Sequence, residues 1–284
     1  MTAGVSVDRM SLAVALERLG DDMQPSTARL ASRDTPSDTL WDLGADFIEA
    51  RRLALLGWTQ KVETMVRQIE VLRLSMDSSI SDLFDVSGEA VEIGRFLANE
   101  PECMFAQQVT PELTVSILLN IVAVCDAQAQ FLFNRGIAVA ALVRALQSTG
   151  RSVSVSIGVA VAIDDHPSRN SQRHVTIVNI QDHGDLMSPG RLAFWLAHPA
   201  ALRRCILRFN EQQPQETRQK FGFHMLGGYG VPCEIPRQCI PKDVVYIPFV
   251  STEVLHSHYG SPERALQTLV RELNNKKDLL RVSV

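Results

Sequence analysis

A doubly wound α/β sheet with a helical segment before it is the fold class this sequence predicts, and three observations predict it. "VSILLNIVAV" (115–124) is a near-continuous apolar run, as expected of a strand buried on both faces. "RGIAVAALVRALQSTG" (135–150) has apolar residues at helical spacing and a closing glycine placed as a C-terminal cap. "SVSVSIGVAVAI" (152–163) and "HVTIVNIQD" (174–182) then read as strands joined by the polar "DDHPSRNSQR", most simply an antiparallel pair. Strand, helix, strand in this order is the texture of a sheet with crossover helices.

The elements on either side follow in order. Residues 1–40 hold one short helical pattern, 10–19, and a stretch rich in Ser, Thr, Asp and Pro that predicts a flexible arm or linker. Residues 41–105 predict a helical segment: Phe47, Leu53, Leu56, Val62, Met65, Val66, Ile69 and Leu72 recur at helical spacing around a Gly57-Trp58 break. Trp41 and Trp58 are expected to anchor these helices on the main domain. A short helix ending before Pro101 completes the segment, and the α/β domain spans 106–284. Within it, "SPGRLAFWLAHPAALRRCILRF" (188–209) predicts a helix that starts near Pro189 and breaks at His198-Pro199. A Gly/Pro-rich loop (227–241), a core strand (243–250) and an amphipathic closing helix beginning "SPERALQ" follow.

Composition bounds the function. The chain has 284 residues, 45% hydrophobic and 21% charged, which suits an ordinary globular core rather than bulk disorder. A net charge of −4 gives no general field for nucleic acid, so that partner is not favoured. The five cysteines (Cys103, Cys125, Cys205, Cys233, Cys239) form no CxxC pair and suit a reducing compartment. No apolar run approaches the roughly 20 residues that cross a bilayer, so no membrane partner is expected. GxSxG, P-loop and HExxH patterns are absent.

Candidate sites gather at strand ends. Asp126 closes the first core strand, where open α/β sheets place ligands, and it is the candidate metal ligand, with Asp182 and Asp185 in "QDHGD" as possible co-ligands for a divalent ion. Against that, aspartates after strands commonly cap turns. Gln128, Arg135 and His183 complete the expected partner- or ligand-binding face; Arg135 can meet an anion or pair with Asp126. His224, Cys233, Cys239, His256 and His258 are zinc-compatible types at no standard spacing. Arg191, Arg203, Arg204 and Arg208 form the basic cluster, read as a solvated face or a contact to an acidic partner, with phosphate backbone as the alternative.

The order of elements around Asp126 resembles a von Willebrand factor A domain, a Rossmann-type fold. In that family the first strand ends in Asp-x-Ser-x-Ser, which binds magnesium or manganese. Here Asp126, Ala127, Gln128, Ala129 and Gln130 stand in those places, so the aspartate is kept and both serines are lost. A closer resemblance, over 41–275, is to an uncharacterised family of tailed-bacteriophage proteins, carried by "LALLGW", "FLANEPECM", "RGIAVAALVRALQSTGRSVSV", "LAFWLAHPAALRR" and "GGYG". It implies a viral origin, in the host cytoplasm or the virion, and brings no assigned activity. The leading expectation is a non-catalytic binding or assembly protein with a protein partner and a degenerate metal site. The alternatives are a metal-dependent enzyme acting on phosphoester or nucleotide substrates and a nucleic-acid-associated phage factor; the cofactor is unknown.

Overall fold

Six strands form one mixed sheet: β1 (Val5–Ser11), β2 (Thr114–Asn120), β3 (Ser152–Ala162), β4 (Arg173–Gln181), β5 (Val231–Pro232) and β6 (Val244–Ile247). The structure, a computed structural model, describes residues 4–20, 43–59, 75–76, 83–85, 90–91, 93–98, 101, 104–106, 114–124, 127–148, 151–164, 171–185, 188–223, 230–274 and 282–283. The strand order is β1-β4-β3-β2-β6, with β5 paired to β3 beyond the end of β2. β2 runs parallel to both β3 and β6, β1 parallel to β4, and β3 antiparallel to β4, so the expected strand pair is present.

Side-chain alternation divides the sheet into two unlike faces. Val115, Ile117 and Leu119 of β2 and the valines and isoleucine of β3 at odd positions point to a layer of helices. That layer contains α1 (Leu12–Gly20), α2 (Phe47–Leu56), α3 (Ala129–Ser148), α4 (Pro189–Ala197), α5 (Leu207–Glu211), α6 (Thr252–His258) and α7 (Pro262–Asn274). On the opposite face Leu118, Ala160, Ala162, Val175 and Ile177 meet Cys233, Ile235, Cys239 and Ile240 of a strap, 231–240. The expected α/β sheet is present; among the described residues, the long helices lie on one face, and the other is covered by a short strand, coil and a 3₁₀ turn. The sequence period could not separate these cases, because strands buried on both faces read alike whatever covers them.

α3 is the centre of the helical layer, packed against α4, α7 and the sheet. By length and composition Ala129–Gln147 is long and apolar enough to cross a bilayer, contrary to the expectation, but most of it is buried inside the fold. Its crossing with α4 is very close: a Cβ on Gly136 would lie 2.0 Å from the Leu196 carbonyl oxygen and 2.2 Å from the Ala197 Cα. α4 starts where Ser188 accepts from the Arg191 N–H and Pro189 occupies the first turn, and it stops at His198 before Pro199. The chain resumes as a π-helical turn, Ala201–Ile206, running into α5. α2 is capped by Asp46, whose carboxylate accepts from the Glu49 N–H at 2.8 Å, and ended by Gly57 at φ 91°. That left-handed value and a Cβ-to-Arg191 N distance of 2.7 Å admit only glycine there. Trp58 donates its backbone N–H to the Gly190 carbonyl at 2.9 Å and is buried against Phe133 and His198, the anchor expected of it; Trp41 lies outside the described residues.

Two further expectations are corrected. Residues 5–11 of the supposed flexible arm form the edge strand β1, in register with β4 from Val5↔Arg173 to Ser11↔Asn179, and α1 follows directly. Asp8 holds this unit in place: it pairs with Arg18 at 2.8 Å and accepts from Gln213 at 2.6 Å. Residues 21–40 lie outside the described ones. The segment 41–105 is not wholly helical, since Leu83–Asp85, Ala90–Val91 and Met104–Ala106 form a small antiparallel sheet. Residues 62–72, expected to be helical, also lie outside the described residues.

Candidate functional site

The expected site residues are distributed between the two ends of the sheet. At the carboxyl end of β2, Arg135 is buried at 3% exposure and donates to the Asn120 carbonyl at 2.8 Å and to the Pro248 carbonyl. One guanidinium from α3 thus ties the ends of two adjacent parallel strands across the crevice where such sheets bind ligands. Arg203, also 3% exposed, reaches in from the π-helical turn and donates to the Ala127 carbonyl at 2.6 Å. A cavity of about 20 Å³ beside Arg135, lined by Leu119, Trp195 and His198, has room for roughly one water. Burial lowers the His198 pKa to about 4, and its Nδ1 accepts from the Ala200 N–H at 3.1 Å, so this ring is a neutral acceptor closing its own turn.

Asn120 is the hub of this end on the strap side, and it is fully buried. Its Nδ2 donates to the Cys233 carbonyl and to the Tyr246 hydroxyl, each at 3.1 Å, while Oδ1 accepts from the Val122 N–H at 3.2 Å. Tyr246 in turn donates to the Glu234 carboxylate at 2.5 Å and accepts from the Ile235 N–H at 3.2 Å. Burial, with the bond to Glu234, pushes the phenol well above its ordinary pKa, so it stays a donor. The network fastens the strap to the sheet. A lone asparagine closing the run "SILLN" was the sequence signal for it.

Asp126 lies outside the described residues; its described neighbours, Val124 and Ala127, sit just beyond the end of β2, and Gln128 is exposed there. Asp182, His183 and Asp185 are not with them. β4 runs antiparallel to β3, so its carboxyl end, Gln181, lies beside Val155, while the carboxyl end of β2 lies beside Gly158. His183 contacts Ser152, six residues along β3 from Gly158, or about 20 Å at the rise of a strand. The grouping of Asp182, His183 and Asp185 with Gln128 and Arg135 on one face is therefore corrected, and with it the convergence of Asp182 and Asp185 on the 124–127 segment.

The basic cluster is corrected too. Arg203, Arg204 and Arg208 are at most 3% exposed, inside the helical layer, and only Arg191 is half-buried. Guanidiniums placed this way meet carbonyls and side chains of the fold instead of a phosphate backbone. The zinc-compatible set does not assemble either. Among the described residues no group of three His, Cys, Asp or Glu could hold a metal ion. Burial pushes Cys233 up to about 11 and Cys239 upward, which disfavours thiolates, His256 stacks on Phe131, and His224 lies outside the description.

At the amino end of β2 and β3 the structure assembles residues that the sequence reading passed over. Ser116, Ser152 and Ser154 share the strap-side face, beyond the strap, and the exposed His183 lies over them. His183 Nε2 is 3.0 Å from Ser116 Oγ, and Ser154 donates its hydroxyl to Ser116 Oγ at 3.0 Å. The available signal was the period-two serines of "SVSVS" facing the same way as the serine of "TVSILLN".

No curated protein and no solved structure matches the chain. A family model described as a domain of unknown function (DUF7192) matches residues 15–279, a span that begins within α1 and takes in both ends of the sheet. By that match over most of its length, the chain belongs to the DUF7192 family.

Proposed function

We propose that this is a phage-encoded, non-catalytic binding or assembly protein that uses the carboxyl-end face of a von Willebrand A-like domain with a degenerate metal site. The order of elements supports the fold likeness: strand β2, helix α3, the antiparallel pair β3 and β4, helix α4, strand β6 and helix α6 follow in the order the resemblance implies. The observation that carries the function is the pair of buried guanidiniums, Arg135 and Arg203, bonded to backbone carbonyls on either side of the segment where the family holds its ion. Two resident cations repel a divalent ion, and alanine and glutamine in place of the motif's serines supply no hydroxyl ligands. The residues do not fit a magnesium or manganese centre, so no chemistry is routed through one. What the face offers outward is Gln128, Gln130 and the stacked Phe131–His256 pair, amide and aromatic groups suited to a protein partner.

The test compares proteins captured from infected cells by the wild type, by a Gln128→Arg/Gln130→Arg variant, and by His183→Ala at the other end of the sheet. The proposal expects a specific partner lost only in the double variant. Equal capture by all three would overturn it.

A further inference from the structure

We infer that Ser116 and His183 form a nucleophile–base pair on the open sheet face, able to take an acyl or phosphoryl group from an activated ester. The binding role is non-catalytic at the carboxyl-end face; this pair adds a stoichiometric acyl or phosphoryl acceptor at the other end of the sheet. His183 Nδ1 lies 3.2 Å from the Ser152 carbonyl oxygen and 3.4 Å from the Ser152 hydroxyl. A carbonyl only accepts, so the closer contact is a hydrogen bond only with the proton on Nδ1. In a neutral ring Nε2 then carries the lone pair, and Ser116, 3.0 Å away, donates its hydroxyl to it. This is the geometry of a general base addressing a nucleophilic serine, with a backbone carbonyl as the group that orients the base.

The surroundings fix the pair. The Gly184 N–H donates to Ser152 Oγ at 2.9 Å, which docks the 182–185 turn onto β3 and holds the imidazole over Ser116. Asn179 donates to the Asp182 carboxylate and ties the other side of the same turn to β4. The Ser154 hydroxyl, donating to Ser116 Oγ at 3.0 Å, stabilises negative charge as the proton leaves. Stability does not demand this arrangement: the ring is exposed and the three serines are half-buried, so water could satisfy every group. The amino half of the face is also not covered by the strap, which packs on the carboxyl half. Among the described residues, an ester on the periphery of a larger molecule can therefore approach Ser116.

The reaction that reads this out uses an alkyl fluorophosphonate probe. Ser116 Oγ attacks phosphorus, the O–P bond forms, fluoride leaves, and the hydroxyl proton passes to His183 Nε2. Intact wild-type protein is incubated with the probe and the adduct located by mass spectrometry, beside Ser116→Ala, His183→Ala, Ser154→Ala and heat-denatured wild type. Expected are one adduct on Ser116, none in Ser116→Ala or denatured protein, and a labelling rate at least about a hundredfold lower in His183→Ala, the smaller end of what a positioned base supplies. Ser154→Ala should label more slowly than wild type but faster than His183→Ala. Wild-type labelling no faster than Ser116→Ala, an adduct on another residue, or equal rates in His183→Ala and wild type would each overturn the inference. Melting curves confirm that every variant is folded, and failure here leaves partner capture at the opposite end untouched.

Discussion

The two ends of β2 and β3 carry similar numbers of polar side chains and treat them in opposite ways. At the carboxyl end Asn120, Arg135 and Arg203 are buried and bonded to backbone carbonyls and the strap. At the amino end Ser116, Ser152, Ser154 and His183 bond to one another at the surface. Buried polar groups cost free energy unless paired, so the first set must be complete for the domain to fold. The second set is under no such constraint. Chemistry that the fold does not need is the better place to look for activity.

That contrast is broken or sharpened by substitution and pH. The largest effect is expected from acid. Burial holds both His174 and His198 near a pKa of about 4, below the ordinary 6.5, and both lie on the helix-covered face. Between those values the unfolded chain binds more protons than the folded one, so stability present above pH 6.5 is lost as pH falls toward 4. Each ring contributes up to roughly 3 kcal/mol, and urea unfolding at stepped pH should show the slope, reduced in His198→Gln. Arg135→Met removes the donor from two strand-end carbonyls and should cost about 4 kcal/mol in the same assay, given roughly 1–3 kcal/mol for each orphaned group. Gly136→Ala drives a methyl into the backbone of α4 and should cost about 3 kcal/mol. Tyr246→Phe leaves the Ile235 N–H without its acceptor and should cost about 1–2 kcal/mol, with faster amide exchange confined to 231–240. Ser116→Ala and His183→Ala should each change stability by less than about 0.5 kcal/mol; a cost near that of Tyr246→Phe would show the amino-end cluster to be part of the architecture.

The central strand–helix–strand pair was legible because its signals are local: an apolar run, a 3.6-residue period and a polar turn between two alternating segments. β1 was not, because Val5, Val7 and Arg9 alternate within a polar terminus and become a strand only on the edge that β4 offers, some 170 positions later. The arginines of "LRRCILR" read as a solvated face, since the acceptors that permit burial, such as the Ala127 carbonyl, are distant in sequence. Asp182 and Asp185 were placed near Asp126 on the assumption of a common strand direction, which the antiparallel β4 reverses. The Ser116–His183 contact joins residues 67 positions apart through backbone register alone.

The proposed function holds that the fold's own guanidiniums stand at the carboxyl end in place of an ion. Its most direct test is a magnesium and manganese titration of the melting temperature of wild type and Asp126→Asn, with metal content measured on the purified protein. Because a ligand that binds only the folded state must stabilise it, the account predicts no divalent-dependent rise in either protein and no bound metal. A rise in the wild type that Asp126→Asn lacks would contradict it and return the metal-dependent readings to the front.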